Sequence, residues 1–166
     1  MKTLTQHLAQ YAGYHRDKRN ILTHLVGIPL IVIALNALLS RPALWLGPLP
    51  LSPASLLTLL ACLFYLRLEW RLGSLMTVLM VLALFCGERL AALNTAAWLG
   101  WGIGLFVIGW AFQFIGHYFE GRKPAFVDDI AGLIVGPLFV VAELLFAAGL
   151  RQELKRQVEA KAGPLH

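Results

Sequence analysis

The feature that most constrains the fold is a run of thirty residues, from Leu90 to Phe119, that contains no Asp, Glu, Lys or Arg. About 20 apolar helical residues are enough to cross the hydrocarbon core of a bilayer. The rest of the chain has the same character, since 58% of its residues are hydrophobic and 14% are charged, whereas soluble domains carry about 25% charged residues. We therefore predict an integral membrane protein.

Apolar segments alternate with short polar ones along the 166 residues. This alternation predicts an all-α membrane protein, a bundle of four to five transmembrane helices preceded by a short interfacial helix, in a single membrane domain over 1–166. The predicted elements are the interfacial helix 3–14, the spans 21–40, 54–66, 72–87 and 96–117, a last apolar segment 130–150 and a charged tail 151–166.

Local signals mark the ends of several elements. Thr3 or Thr5 is suited to cap the interfacial helix, and Gly13 is a plausible end for it. The proline-rich segment 46–53 predicts a loop between the first two spans. Glu88 and Arg89 are expected to form the turn that follows the third span.

Basic residues set the predicted orientation, because they concentrate on one side of the membrane if the spans alternate. The residues on that side are Arg16, Lys18, Arg19, Arg67, Arg71, Arg122 and Lys123, and only Arg41 and Arg89 fall opposite. The positive-inside rule then places the amino terminus in the cytoplasm. The histidine-bearing stretches 14–24 and 113–123 come out on that same face, where they can share a site.

A fifth full span would carry the basic residues of the tail to the outer face. We therefore expect the segment 130–150 to bend at Gly136-Pro137 and return, or to lie tilted, so that the tail stays inside. The net charge of +5 predicts contact with anionic lipid head groups. No nucleic-acid partner is expected, because no stretch mixes basic residues with exposed aromatics. Cys62 and Cys86 lie inside apolar runs and are interpreted as packing residues.

Polar groups crowd the end of the charge-free run. On a helix, Gln113, His117 and Glu120 fall at i, i+4 and i+7, so all three share one face. A histidine and a carboxylate three residues apart can both reach one metal ion. The same face also fits a plain polar cap at the membrane surface, and the spacing alone leaves both interpretations open.

A second histidine-bearing stretch precedes and enters the first apolar run. His15 lies in the most polar part of the chain, where Asp17 could cap the incoming helix. Asn20 and His24 stand one turn apart, and His24 is already inside the apolar run. Titratable groups there are costly and usually face the protein interior or a site. The alternative to a site residue is that His24 is a helix-end histidine bonded to a backbone carbonyl.

Together these residues could form a metal site. Imidazoles with one carboxylate and open coordination positions suit non-haem Fe(II), and imidazole also suits Zn. Arg122 and Lys123 could hold the carboxylate of a substrate, or could act as a positive-inside anchor. His7 lies on the interfacial helix and His166 ends the sequence, so neither is predicted to join the site.

These residues resemble the 2-hydroxy fatty acid dioxygenase family, which includes the fungal enzyme of phytosphingosine breakdown and bacterial membrane proteins. The motifs that carry the resemblance are Tyr14-His15, Asn20, His24-Leu25-Val26-Gly27-Ile28-Pro29, Gln113-Phe114-Ile115-Gly116-His117, Phe119-Glu120-Gly121-Arg122-Lys123-Pro124-Ala125 and Gly136-Pro137-Leu138-Phe139. The resemblance covers about residues 5–150. The two histidine motifs are specific as a pair because both occur in order, whereas 40–110 adds little beyond apolar character.

The resemblance implies an Fe(II)-dependent enzyme that uses O2 to shorten a 2-hydroxy fatty acid by one carbon. The substrate's carboxylate and 2-hydroxyl would chelate iron, and the bond between C1 and C2 would break. Together with the positive-inside rule, which sets the cytoplasmic side for the site, we expect a multi-pass protein of the bacterial inner membrane. The implied residue roles are His15, His24 and His117 as metal ligands, Glu120 as a candidate fourth ligand, Asp17 as a lesser candidate, Asn20 and Gln113 as groups that orient the ligands, and Arg122 and Lys123 as substrate contacts.

Two hypotheses from other classes stand beside the dioxygenase. A small membrane transporter would use Glu143 and the interrupted last segment, although the polar groups cluster at one face and 54–110 offers almost no polar path. A metal-stabilised lipid-binding scaffold without catalysis would keep the histidines as structural groups. Metal analysis separates the scaffold from the dioxygenase.

Overall fold

Helices make up most of the structure, a computed structural model that describes residues 2–47 and 49–166. The helices are α1 Leu4–Ala12, α2 Lys18–Ser40, α3 Pro53–Leu68, α4 Trp70–Ala91, α5 Thr95–Glu120, α6 Gly132–Ala147 and α7 Gln152–Ala162, with one 3-10 turn at Ala125–Val127. Two short strands, β1 Leu44–Leu46 and β2 Leu49–Leu51, form a hairpin. The predicted class, an all-α membrane protein, is confirmed.

Helix α1, which was predicted to be interfacial, begins and ends where the local signals predicted. The Thr3 hydroxyl accepts a hydrogen bond from the Gln6 backbone N–H, and the Gln6 side chain accepts one from the Thr3 N–H. This reciprocal pair satisfies two donors that the first turn would otherwise leave open. Gly13 ends α1, and its N–H donates to the carbonyl of Ala9.

The segment predicted as a loop contains the hairpin. β1 and β2 pair antiparallel, with Leu44 opposite Leu51 and Leu46 opposite Leu49. Gly47 takes the left-handed conformation that a tight turn requires, with φ of 63°. Pro48, which the predicted loop includes, lies outside the described residues.

Within the described residues, three helices are long and apolar enough to cross a membrane, namely α2, α4 and α5. A fourth span is added if α6 and α7 are taken together, although they meet at a bend of 118°. Helix α3 is apolar but has 16 residues, which corresponds to about 24 Å of helix. Helix α4 exceeds its predicted range because Glu88 and Arg89 belong to its last turns, where a cation such as Arg89 suits the negative end of the helix dipole.

The chain does not turn back at Gly136-Pro137, which was one of the two expectations for this segment; the other, a tilted segment, stays a prediction. Helix α6 continues through Pro137, which lies only in its second turn and removes one backbone donor there. The chain turns instead between α6 and α7, where Gly149 and Arg151 have φ of 78° and 54°. Helices commonly end at a residue in the left-handed conformation.

The chain divides into two compact units. The terminal unit comprises Met1–Ile28 and Ala111–His166, and the central unit comprises Pro29–Trp110. In the terminal unit α1 packs against α6 and α7. Leu8, Phe139 and Val158 are buried at the centre of this packing.

The central unit is organised around the packing of α3 along α4. Gly73 permits this close approach, because a Cβ added there would lie 2.6 Å from the backbone of Tyr65 and Leu66. A buried hydrogen bond of 3.2 Å joins the Thr58 hydroxyl to the Asn36 side chain. Cysteines Cys62 and Cys86 of this unit are both free.

Candidate metal centre

Three histidines meet inside the terminal unit. His15, His24 and His117 are 0%, 1% and 7% exposed. Their ring centroids are 4.5 Å apart for His15 and His24, and 4.9 Å apart for His117 and each of the other two. Each ring offers one nitrogen such that all three nitrogens lie within 4.8 Å of one another. This spacing allows one metal ion to contact all three rings.

Each histidine comes from a different part of the fold. His15 lies in the link between α1 and α2, His24 lies in the second turn of α2, and His117 lies in the last turn of α5. Gly116 lets α5 approach α2, because an added Cβ would overlap the side chains of Thr23 and Asn20. The close approach therefore depends on a residue without a side chain beside His117.

The hydrogen bonds of His15 and His24 define which ring nitrogens are free. Nδ1 of His15 lies 2.8 Å from the carbonyl oxygen of Tyr11, and Nδ1 of His24 lies 2.9 Å from that of Asn20. A carbonyl only accepts, so both Nδ1 atoms carry the hydrogen in a neutral ring. Both Nε2 atoms then present lone pairs, and they face each other at 3.0 Å.

Two facing lone pairs repel unless a cation lies between or beside them. A metal ion satisfies both, and a backbone carbonyl on the opposite ring nitrogen is the usual support for a metal-bound histidine. The Nδ1 atom of His117 is also buried and has no hydrogen-bond partner among the described residues. The donor set therefore fits a metal ion.

The surroundings favour neutral imidazole at His15. Burial holds the pKa of His15 well below its usual range, and the neighbouring His24 and His117 act in the same direction. The ring of Tyr11 stacks on His15 at 4.2 Å, with the two planes 3° apart. Neutral imidazole is the form that binds metals, so little proton competition is expected at His15 near neutral pH.

Glu120 holds the link between α1 and α2 against the end of α5. Its carboxylate accepts hydrogen bonds from the backbone N–H groups of Arg16 and Asp17, at 2.9 to 3.0 Å. It also accepts one from Asn20 Nδ2 at 3.0 Å. Its oxygens are thus taken by donors, and Glu120 does not belong to the three-histidine group.

The amides expected to orient the ligands take different roles. Asn20 supports His24 through its backbone carbonyl, while its side chain donates to Glu120. Gln113 lies one turn before His117 on α5 and is buried. Its Nε2 atom has no hydrogen-bond partner in the described part of the chain, so its role as a group that orients a ligand stays a prediction.

The remaining predicted residues lie in the links around the cluster. Asp17 caps α2 by accepting from the Arg19 N–H at 2.8 Å. Arg122 donates to the carbonyl of Gly13 at 2.7 Å, and Lys123 pairs with Asp128 at 2.5 Å. The two cations expected to contact substrate therefore already have partners within the protein.

Sequence reasoning missed two residues of the site. Tyr11 supports His15 through its carbonyl and its stacked ring, and its position four residues before His15 was an available signal. Arg16 is 6% exposed, donates to the carbonyls of Ala12 and Gly163, and lies 3.9 Å from Glu143. Only its place beside His15 pointed to a site.

Comparison with known proteins identifies the family. The family model described as 2-hydroxy-palmitic acid dioxygenase Mpo1-like matches residues 1–148, and so covers all three histidines. The chain belongs to the Mpo1-like family. This confirms the resemblance drawn from the histidine motifs.

One relative of this Mpo1-like protein is a yeast enzyme. The chain is 33% identical over 160 residues to the protein of Saccharomyces cerevisiae named 2-hydroxy-palmitic acid dioxygenase MPO1, and the match covers 94% of this chain and 87% of the yeast protein. No solved structure matches the chain significantly. At the level of the family, the activity is that of a dioxygenase, which implies O2 as a co-substrate.

Proposed function

We propose that this Mpo1-like protein is an Fe(II)-dependent dioxygenase that shortens 2-hydroxy fatty acids by one carbon. The observation that carries the proposal is the pair of Nε2 lone pairs of His15 and His24, which face each other at 3.0 Å beside His117. The names of the family and of the yeast relative support the reaction class.

The donor set supports iron. Three neutral imidazoles leave coordination positions open for O2 and for a chelating substrate. When bound there, iron would supply the redox chemistry that lets O2 react with the 2-hydroxy acid. We assign His15, His24 and His117 as the ligands. Zinc also accepts imidazole ligands, so metal identity is part of the test below.

The overall reaction balances without an external reductant. One 2-hydroxy acid and one O2 give the acid shorter by one carbon, CO2 and water. The bond between C1 and C2 breaks, C2 is oxidised to the new carboxyl carbon, and C1 leaves as CO2. The oxygen molecule takes up the four electrons that the substrate gives up.

The protein's own residues prepare the site for this reaction. The carbonyls of Tyr11 and Asn20 orient two ligand rings through their Nδ1–H groups. Glu120 keeps the link that carries His15 against α5. Burial of the three rings excludes bulk water, which strengthens electrostatic interactions with a bound head group. We propose that Arg122 and Lys123 make secondary contacts with the substrate's carboxylate. To do so, Arg122 would have to release the carbonyl of Gly13, and Lys123 would have to release Asp128.

Apolar surface beside the cluster supports a lipid substrate. Val26, Phe114 and Ile115 are 46%, 56% and 48% exposed on helices that are apolar enough to lie in a membrane. An acyl chain could lie along this surface while its head group reaches the histidines. We propose that the cluster lies at the cytoplasmic face of a bacterial inner membrane in a multi-pass protein, on the basis of the positive-inside rule.

The test measures metal content and O2 uptake on protein purified in mild detergent without a His tag. We expect about one iron per chain and O2 consumption with 2-hydroxypalmitate. His24→Ala and His117→Ala should lose both. His7→Ala is the matched control, because His7 lies on α1 of the same unit outside the cluster, and it should retain both.

Two results would contradict the proposal. Full O2 uptake in both cluster variants would remove the histidines from the site. One zinc per chain, with no uptake after anaerobic reconstitution with Fe(II), would favour a metal-stabilised scaffold.

A further inference from the structure

Two polar atoms beside the histidine cluster are buried without a hydrogen-bond partner among the described residues. They are Oδ1 of Asn20 and Nε2 of Gln113. Asn20 is 0% exposed and Gln113 is 5% exposed. Leaving a buried donor or acceptor unpaired is costly, so such atoms in a site point to a ligand that completes them.

The orientation of the Asn20 amide follows from its neighbours. Nδ2 donates to Oε2 of Glu120 at 3.0 Å and to the carbonyl of Tyr14 at 3.3 Å. Both partners only accept, so the nitrogen must face them and the oxygen must be the unpaired atom. Asn20 therefore presents an acceptor beside the cluster.

Gln113 presents a donor from the opposite helix. On the part of α5 that belongs to the terminal unit, the buried residues are Gln113, Gly116 and His117. These three share the face that approaches α2. Because Gly116 has no side chain, Oδ1 of Asn20 reaches α5 at this position, one turn from Gln113. The unpaired acceptor and the unpaired donor thus lie on facing helices, beside His24 and His117.

An acceptor together with a donor matches a hydroxyl group. A hydroxyl donates one hydrogen bond and accepts others, whereas a carboxylate only accepts and a methylene does neither. We infer that Asn20 and Gln113 hold the 2-hydroxyl group of the substrate and set the preference for 2-hydroxy acids over unsubstituted fatty acids. This inference rests on the proposed function, because it names the group that the same site recognises.

Selectivity of this kind follows when a site is built to pair with a hydroxyl. A substrate that lacks the hydroxyl leaves the two amides unpaired and binds more weakly. A purely apolar site would discriminate little between acids with and without the hydroxyl. Asn20 also supports Glu120 and His24. Gln113 makes no such contact with any residue that the structure describes, so it is the better residue to change.

The test measures binding rather than turnover. Zinc-loaded protein in detergent is titrated with 2-hydroxypalmitate and with palmitate, each displacing a fluorescent fatty acid. Gln113→Met keeps the side-chain volume and removes the donor. We expect its preference for 2-hydroxypalmitate over palmitate to fall by about tenfold, the value of one hydrogen bond, with palmitate affinity kept. The metal is the same in both proteins, so a difference between them does not come from the metal.

A second readout separates a ligand contact from a structural one. If Gln113 serves the ligand, the melting temperature of ligand-free Gln113→Met should equal or exceed that of the wild type, because an unpaired buried donor has been removed. Gln113→Asn, which keeps the amide but withdraws it by one methylene, should lose most of the preference and still fold. Gln157→Met, an exposed change on α7, is the control and should keep the preference.

The outcomes are distinct. A wild type that prefers 2-hydroxypalmitate, with the preference intact in Gln113→Met and Gln113→Asn, overturns this inference and leaves the proposed function standing. A lower melting temperature in both variants, with both ligands weakened alike, assigns Gln113 to structure and also overturns it. A wild type that binds neither acid refutes the proposed function itself.

Discussion

Replacing Glu120 by glutamine tests whether this carboxylate holds the site together or binds the metal. The change preserves size and removes the charge. Oε2 accepts from the N–H groups of Arg16 and Asp17 and from Asn20 Nδ2, at 2.9 to 3.0 Å. Hydrogen bonds to a charged group contribute about 1.5–3 kcal/mol, and neutral ones about 0.5–1.5 kcal/mol. Each of the three bonds should therefore weaken by about 1 kcal/mol.

Partial exposure reduces this sum. Glu120 is half-buried, so water can replace part of the lost interaction, and we expect a net loss of about 2 kcal/mol in the free energy of unfolding. For a chain of this size, such a loss lowers the melting temperature by about 4–8 °C. The metal should still bind at the same stoichiometry, with an affinity about 10–100-fold lower because the ligands are less well supported.

The assay is thermal unfolding of metal-free protein in mild detergent, followed by metal titration. Glu153→Gln is the matched control, since Glu153 is exposed on α7 of the same unit and its partners Arg156 and Gln157 are exposed as well. It should lower the melting temperature less than Glu120→Gln does and leave metal binding unchanged. The reasoning is refuted if Glu120→Gln leaves the melting temperature of the metal-free protein unchanged and abolishes metal binding. That result would make Glu120 a ligand.

Two further predictions concern the surroundings of the histidine cluster. Gly116→Ala places a Cβ against polar side chains of α2, so it should cost about 1–3 kcal/mol of stability and weaken metal binding. The control Gly104→Ala meets nothing within 4 Å and should melt no lower than the wild type. Equal melting temperatures for Gly116→Ala and the wild type would contradict the close approach of α5 to α2. The Arg19 guanidinium, which donates to Asp17, holds the pKa of Asp17 at about 2 against an ordinary 3.8. This contribution to stability is present above pH 3.8 and is lost as the pH falls towards about 2. Between these pH values Asp17→Asn should therefore lose less stability than the wild type. If the wild type and Asp17→Asn lose stability equally in acid-unfolding curves, the prediction is contradicted.

Much of the fold follows from local chemistry. Thirty consecutive residues without a charge predict a helix long enough to cross a bilayer, and α5 occupies most of this run. Thr3 and Gly13 bound α1 because caps depend on neighbouring backbone groups alone. The placement of Gln113, His117 and Glu120 on one face is likewise a property of helix periodicity.

One of the two expectations for the last apolar segment failed, because a local signal competed with a neighbouring one. Pro137 was expected to bend the last apolar segment, yet the turn comes at Gly149 and Arg151, which adopt left-handed conformations. A proline has a fixed cost of one backbone hydrogen bond, and an apolar helix can absorb it. No residue pattern within the segment shows whether the chain turns at Pro137 or at Gly149 and Arg151.

The metal centre is set by contacts between distant parts of the chain. His15 and His117 are about a hundred positions apart, and the sequence could place them only on one membrane face. The 3.0 Å approach of the Nε2 atoms of His15 and His24 depends on which carbonyls accept from the opposite nitrogens. Glu120 has the right spacing for a ligand but bonds to backbone N–H groups, because the link before α2 folds against the end of α5. Helix periodicity fixes directions along one helix, whereas the distances between rings on different elements depend on how closely those elements pack, and that depends on all their contacts at once.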